Sequence, residues 1–288
     1  MQGNLNVERL CRLAEVNRTG FYRELKRREP AEEEMAVREA VQQIALAHRR
    51  QYGYRRVTAE LRRRGMVVNH KRVARMMRSD NLLAIRKRKF VTTTDSRHEH
   101  EIFYNLARQM QPKVPNQLWV ADITYIRLRQ EFVYLAVILD AFSRRVVGWN
   151  LGRYCHSRLA VTALERAIAE RRPGPGVVHH SDRGVQYACT DYLRVLAQHK
   201  MISSMSRAAC PYDNAACESF MSTLKREEIH ARAYRDLAEL TAHVQEFIER
   251  YYNTQRLHSA LGYRTPEEFE RENYRLPDLS AKPTHMSF

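Results

Sequence analysis

The chain has 288 residues, of which 44% are hydrophobic and 28% are charged, and its formal net charge is +16. This composition is typical of a folded globular protein and excludes a chain that is disordered throughout. Single cores usually stop growing at about 250–300 residues, so the length allows one sizeable α/β domain and one or two smaller modules.

The positive charge is concentrated in one stretch. Residues 49–89 contain 15 Lys and Arg side chains against only Glu60 and Asp80, which gives a local net charge of +13. A helical segment this basic favours nucleic acid as the partner, with a solvated or membrane-attracted face as the alternative.

Neither a membrane nor a disulfide framework is indicated. No N-terminal run resembles a signal peptide, and the longest apolar stretch, at residues 134–139, is too short to cross a bilayer. We therefore expect a cytoplasmic protein that does not contact membranes. The five cysteines show no CxxC spacing, which predicts reduced thiols and no zinc site.

The first elements along the chain are predicted to be helical. Residues 1–32 show a helix-turn-helix-like pattern in which Asn17 separates two short apolar repeats, and a plain helical hairpin fits equally well. An acidic spacer at 32–34 then leads into a basic helix-turn-helix-like domain at 35–92, where Asn69 can cap the third helix. The three helices of this domain are predicted near residues 37–51, 55–64 and 70–79.

The third helix of the basic domain has the pattern of a recognition helix. Val73, Met76 and Met77 face one way, which leaves the basic side chains to reach phosphates and base edges in a major groove. An arm that is either phosphate-binding or merely a solvated linker follows. The predicted DNA contacts are Lys71, Arg72, Arg75 and Arg78 on the helix and Arg86, Lys87, Arg88 and Lys89 in the arm.

Beyond a predicted linker at 93–111, the composition changes to that of a strand-rich domain. Three segments of β-branched and aromatic residues, LWVADITYI, FVYLAVILD and RRVVGWNL, predict an antiparallel meander. A helix at about 158–171, a short strand VVHH and a helix near 190–199 follow. The order βββαβα, within a domain at 112–270 that has further helices and a tail at 271–288, is typical of the ribonuclease-H-like α/β fold.

Three acidic residues lie on elements that can converge in such a fold. Asp122 is inside the first strand, where an isolated charge is costly unless it is paired or bound to a metal. Asp182 follows the short strand VVHH, and Glu218 lies in a helical segment. Carboxylates that converge can hold the two divalent ions that phosphodiester transfer requires, although each acid taken singly fits a structural role as well.

Five segments together resemble a known family. LWVADITYI, LDAFSRRVVGW, HSDRGVQY, YDNAACESFMSTLKRE and YYNTQRLHSALGYRTPEEF are similar to successive signatures of the integrase-type transposases of bacterial insertion sequences. The match is to the product of the second of two overlapping reading frames, and it covers residues 5–270. Asp182 and Glu218 are separated by 35 residues, which is the spacing of the acidic triad in this superfamily.

The resemblance implies a retroviral-integrase type of core in which Asp122, Asp182 and Glu218 bind two Mg²⁺ or Mn²⁺ ions. It also implies that Lys225, seven positions after Glu218, contacts DNA near the scissile phosphate; a surface lysine is the alternative. Two further DNA-contacting residues are expected beside the triad. Arg183 would shape the loop after Asp182, and Asn214 would cap or orient the helix of Glu218.

The function implied is DNA transposition: water cleaves the element ends, and the freed 3′-hydroxyl attacks target DNA. The expected partners are DNA, further copies of the chain on DNA, and the upstream-frame protein, either fused or separate, in the bacterial nucleoid. Ala208 and Ala209 stand where the family usually has a basic residue and a glycine, which leaves open a DNA-binding regulator without catalysis. A ribonuclease-H-like nuclease is a third reading, but it does not explain the basic N-terminal helices.

Overall fold

A computed structural model describes residues 7–13, 15–19, 22, 32–84, 103–129, 131–206 and 214–273. The chain divides into two compact units, Met1–Ile85 and Arg86–Phe288. The basic arm at 86–89 and the pair Ala208 and Ala209 lie outside the described residues.

The described part of the first unit is helical, as the sequence predicts. The second helix begins about five residues before its predicted start, so the acidic run at 32–34 is its first turn and not a spacer. Acidic residues are common in the first turn of a helix, because the helix dipole is positive at that end. The helix also ends early, because Arg49 and Arg50 adopt left-handed φ angles of 50° and 56°. The helices are α1 (Val7–Leu13), α2 (Glu32–Ala47), α3 (Tyr54–Arg63) and α4 (His70–Ser79).

Helix α4 packs on its apolar side against the rest of the first unit. The predicted cap is confirmed, because the Asn69 side chain accepts a hydrogen bond of 2.8 Å from the Lys71 amide. Val73, Met76 and Met77 are buried, as their spacing indicates. The cations of α4 are therefore left on its outer faces.

The second unit is built on a five-stranded sheet. Its strands are β1 (Leu118–Arg127), β2 (Phe132–Asp140), β3 (Val146–Gly152), β4 (Val178–Ser181) and β5 (Ile202–Met205), in the spatial order β3-β2-β1-β4-β5. The predicted meander is confirmed, since β1 pairs with β2 and β2 with β3 in antiparallel register. Strands β4 and β5 continue the sheet in parallel with β1. This mixed sheet is the ribonuclease-H-like arrangement that the sequence predicts.

Helices cover both faces of this sheet. On one face, Val120 and its neighbours pack against Phe220; on the other, Ala121 and its neighbours pack against Leu164. A π-helical turn, Glu246–Tyr252, continues the helix Leu237–Gln245. The helices are α5 (Ser157–Arg171), α6 (Val185–Ala188), α7 (Thr190–Gln198), α8 (Ala215–Glu227), α9 (Leu237–Gln245) and α10 (Pro266–Asn273).

Two short segments of the second unit were not assigned from the sequence. Strand β5 reads ISSM, which has no apolar run to mark it, and it forms because β4 offers a free parallel edge. Before β1, Ala107 and Met110 pack against the core, although they fall within the predicted linker. Within the described residues, no helix has the length and apolar character that a bilayer crossing would need.

Candidate active site

The strand register brings Asp122 and Asp182 to the same level of the sheet. Strands β1 and β4 run in parallel, with Val120 opposite His180, and each acid lies two residues further along its own chain. Neighbouring strands are about 4.8 Å apart, and side chains at the same level of parallel strands point to the same face. Asp182 directly follows β4, as predicted, so the two acids lie close together, just beyond the part of β1 that pairs with β4.

Helix α8 is attached to β1 immediately beside Asp122. The Asn214 amide donates a hydrogen bond of 2.9 Å to the Ala121 carbonyl, and the Cys217 thiol donates one of 3.3 Å to the Val120 carbonyl. These bonds place Glu218, the residue after Cys217, near the two aspartates. Asn214 thus orients the helix, as expected, but its side chain forms no capping hydrogen bond.

Asp122 is a buried acid with two other acids nearby. Burial, and then the charge of Asp182, raise the pKa of Asp122 to about 7, and the charge of Glu218 adds to the rise. The Ile123 amide and Lys225 act in the opposite direction. Among the described side chains, no group of three or more His, Cys, Asp or Glu is arranged so that it could hold a metal ion.

Lys225 reaches this site from the same helix as Glu218. Its ammonium lies 5.1 Å from the centre of the Tyr125 ring, in a cation–π contact. Burial lowers the pKa of Lys225, while the charge of Asp122 raises it. Lys225 thus differs from an ordinary surface lysine, because it is partly buried and lies near an aromatic ring and a carboxylate.

The loop after Asp182 is held by its own backbone and by two neighbouring segments. The Gly184 amide donates to the Asp182 carboxylate at 2.9 Å. Arg183 donates through Nε to the Ser206 carbonyl at 2.9 Å, and the Gln186 amide donates to the Cys155 carbonyl at 2.9 Å. Arg183 therefore has a structural bond at the position where a DNA contact is predicted.

Tyr187 is a neighbour of the acids that sequence reasoning missed. Its ring is buried, and within the described part of the chain its hydroxyl has no hydrogen-bond partner. Burial, an adjacent tyrosine and then the charges of Asp182 and Asp122 hold the pKa of Tyr187 well above its usual value. The hydroxyl is therefore always protonated. Tyr187 is the last residue of the segment HSDRGVQY, which resembles the family, but the sequence of this segment does not indicate that the tyrosine is buried beside the acids.

The far end of α8 is held by a buried ion pair. Arg256 donates two hydrogen bonds, of 2.8 and 2.7 Å, to the Glu227 carboxylate. Burial alone would raise the pKa of Glu227, but the hydrogen bonds and charge of Arg256 bring it below its usual value. Asn253 bonds both the amide and the carbonyl of Val146, each at 3.0 Å. Arg256 and Asn253, both in the segment YYNTQRLHSALGYRTPEEF, thus fasten helix α8 and the edge strand β3.

The cations predicted on helix α4 differ in exposure. Lys71, Arg75 and Arg78 are exposed, and Arg72 is partly buried. Val73, Met76 and Met77 lie on the buried side of α4. The cations lie on its other faces, where an external anion can reach them.

The chain is similar to known proteins both in its domains and over nearly its whole length. Models of the integrase core domain match residues 112–211 and 199–266, and a model of an HTH-like domain matches residues 32–90. "Transposase InsF for insertion sequence IS3A" of Escherichia coli (strain K12) is 36% identical over 277 residues, which cover 94% of this chain and 96% of that protein. The chain belongs to the insertion-sequence transposases with an integrase core domain.

Another relative of this transposase family is similar over the same length. The "Insertion element IS600 uncharacterized 31 kDa protein" of Shigella sonnei is 38% identical over 269 residues, which cover 92% of this chain and 98% of that protein. Among solved structures, a chain of the simian T-cell lymphotropic virus intasome is similar at 15% identity and a TM-score of 0.48, and the match covers 86% of this chain and 80% of that one.

Proposed function

We propose that this chain is a DNA transposase that cuts the ends of its element and joins them to target DNA, with Asp122, Asp182 and Glu218 as the metal-binding acids. The observation that carries the proposal is the parallel register of β1 and β4, which brings Asp122 and Asp182 close together. The bond of Asn214 to β1 brings the helix of Glu218 to the same place.

The donor set suits Mg²⁺ or Mn²⁺. Carboxylate oxygens are the hard ligands that these ions prefer. Burial first, and then repulsion from Asp182 and Glu218, raise the pKa of Asp122, and a divalent cation would relieve the repulsion. When bound, a pair of such ions would activate the attacking oxygen and stabilise the leaving oxygen.

The other side chains of the site bind and orient the DNA. Lys225, held over Tyr125, contacts a phosphate next to the acids. Cys217 is excluded as a nucleophile, because burial and the charges of Asp122, Asp182 and Glu218 raise the pKa of its thiol well above the usual value. Water and the 3′-hydroxyl of DNA are the nucleophiles that the family resemblance implies.

The basic stretch at 49–89, which spans the end of the first unit and the start of the second, supplies affinity for DNA. The exposed cations of α4, with the arm at 86–89, contact phosphates, and several copies of the chain act together on the element ends, with the upstream-frame protein as a further partner. The proposed domains are 1–32, a basic domain at 35–92, a linker at 93–111, the catalytic core at 112–270 and a tail at 271–288. Arg183 and Asn214 have structural bonds, and any DNA contact they make is in addition to these.

Strand transfer on labelled element-end oligonucleotides tests this function. With Mg²⁺ or Mn²⁺, we expect joined products from the wild type and a loss of at least about a hundredfold in Glu218→Gln, because the amide cannot replace the carboxylate as a charged metal ligand. Glu165→Gln, an exposed acid on α5, is the matched control and should retain full activity. Equal activity in both variants would refute the proposal, and DNA binding without products in every form would favour the regulator.

A further inference from the structure

We propose that Tyr154 and His156 form a stacking platform for an unpaired DNA base next to the catalytic acids. They belong to residues 153–156, the connection from β3 to α5, which we call the rim loop. The inference rests on the proposed function, because it takes the DNA strand that the acids cut as the ligand.

The rim loop is fixed at the edge of the active site. Gln186, four residues after Asp182, donates one hydrogen bond of 2.9 Å to the Cys155 carbonyl and another of 3.3 Å to its sulfur. After burial, the charge of Asp182 is the second cause of the raised pKa of Cys155. The loop therefore lies close to Asp182, although it comes from the opposite edge of the sheet.

The two aromatic rings of the rim loop point away from the protein. Tyr154 is 68% exposed, and His156 is exposed as well, while Cys155 between them is partly buried. The two rings are stacked, with their centres 5.4 Å apart and their planes within 18°. The contact holds the tyrosine in place and leaves ring surface open to solvent. Stacking a base on such a ring is worth about 1–3 kcal/mol.

The charge of the surrounding surface selects nucleic acid over a protein partner. Arg153 and Arg158 are exposed on either side of the rings, and residues 153–158 contain no acid. Arg153 pairs with Glu131 at 2.9 Å, an exposed contact that phosphate can readily replace. Aromatic rings between cations match a DNA strand, with its bases on the rings and its phosphates on the arginines.

The ligand is a base that has left the duplex. A base inside a helix has both faces covered, so only an unpaired nucleotide can use the platform. Nucleotides beside a scissile phosphate at a DNA end are the easiest to unpair. The platform would hold one of them and thereby fix the strand against Asp122 and Asp182.

Fluorescence of 2-aminopurine in bound DNA tests the platform without turnover. The base analogue is placed in turn at each of the nucleotides flanking the cleavage site of an element-end oligonucleotide, and the full-length protein is added in Ca²⁺. We expect one position at which emission is quenched by the wild type and by Tyr154→Phe, which keeps the ring. Tyr154→Ser should lose this quenching and bind the DNA about tenfold more weakly.

Tyr104→Ser is the matched control, because Tyr104 is 89% exposed and lies near β5, at the other edge of the sheet. It should behave as the wild type. The proposal is overturned if no position is quenched, or if Tyr154→Ser and Tyr104→Ser give the same emission and affinity. Either result leaves the loss of strand transfer in Glu218→Gln untouched, so failure of the platform and failure of the proposed function are distinguishable.

Discussion

At the scale of single residues, the buried hydroxyl of Tyr187 is an unfavourable feature beside the candidate active site. A buried hydroxyl without a partner costs about 1–3 kcal/mol, and here the group lies near Asp122 and Asp182. The fold is therefore destabilised at this point by a group next to the acids. Buried polar groups without a partner are rare in native proteins, and a role in the reaction is one reason for their presence.

Removing this hydroxyl is therefore expected to stabilise the protein. Tyr187→Phe should raise the free energy of unfolding of the metal-free protein by about 1 kcal/mol, measured by urea denaturation. Tyr192→Phe is the matched control, because its hydroxyl bonds His179 at 2.9 Å and its removal should cost about 1 kcal/mol. A loss of stability in Tyr187→Phe equal to that in Tyr192→Phe would mean that the hydroxyl is bonded after all.

At this scale, the sequence could indicate the acids but not their neighbours. Asp122, Asp182 and Glu218 stand in segments that resemble a known family, and their spacing supports the resemblance. Tyr125 and Tyr187 acquire their roles only from contacts with residues distant in sequence, Lys225 for the first and the two aspartates for the second. No local pattern records such contacts.

At the scale of elements, strand β3 packs tightly on helix α5 at Gly148. At Gly148, an added Cβ would lie 2.4 Å from the Ala163 carbonyl and 2.6 Å from the Ala167 side chain. Both obstacles belong to α5, and the nearer one is backbone. The helix would have to move away from the sheet to admit a side chain.

Gly148→Ala is accordingly expected to lower the free energy of unfolding by about 1–3 kcal/mol, as other overpacked core positions do. Gly174→Ala is the matched control, because nothing lies within 4 Å of its Cβ and its φ is not positive. Its effect should stay within about 0.5 kcal/mol in the same thermal or urea unfolding experiment. If the two variants unfold alike, α5 does not pack on β3 as closely as described.

The sequence predicted most elements of the catalytic unit, for a physical reason. Strands β1 to β3 are long and apolar, and α5 ends before prolines and glycines, so local preferences and the final fold agree. Strand β5 and helix α6 have four residues each, and tertiary pairing decides their conformation. The predicted start of α2 is wrong because the acidic run at 32–34 was interpreted as a spacer. Acidic residues are also common in the first turn of a helix, which is where this run lies.

At the scale of the whole molecule, the excess positive charge and the three acids lie in different parts of the chain. Nearly all of the excess positive charge lies within residues 49–89, most of it in the first unit, whereas Asp122, Asp182 and Glu218 are in the second unit. The fold class followed from the order of strands and helices. The relation of Asp122 to Asp182 did not, because it depends on the parallel register of β4 against β1 after a long crossover.

Binding of Mn²⁺ to the metal-free, full-length protein tests the central claim most directly. Titration followed by electron paramagnetic resonance would compare the wild type with Asp122→Asn, Asp182→Asn and the control Asp191→Asn, an exposed acid paired with Arg194. We predict that the first two variants bind Mn²⁺ more weakly by on the order of tenfold or more, and that the control binds as the wild type does. Equal affinity in all three variants would contradict the assignment of these carboxylates as metal ligands.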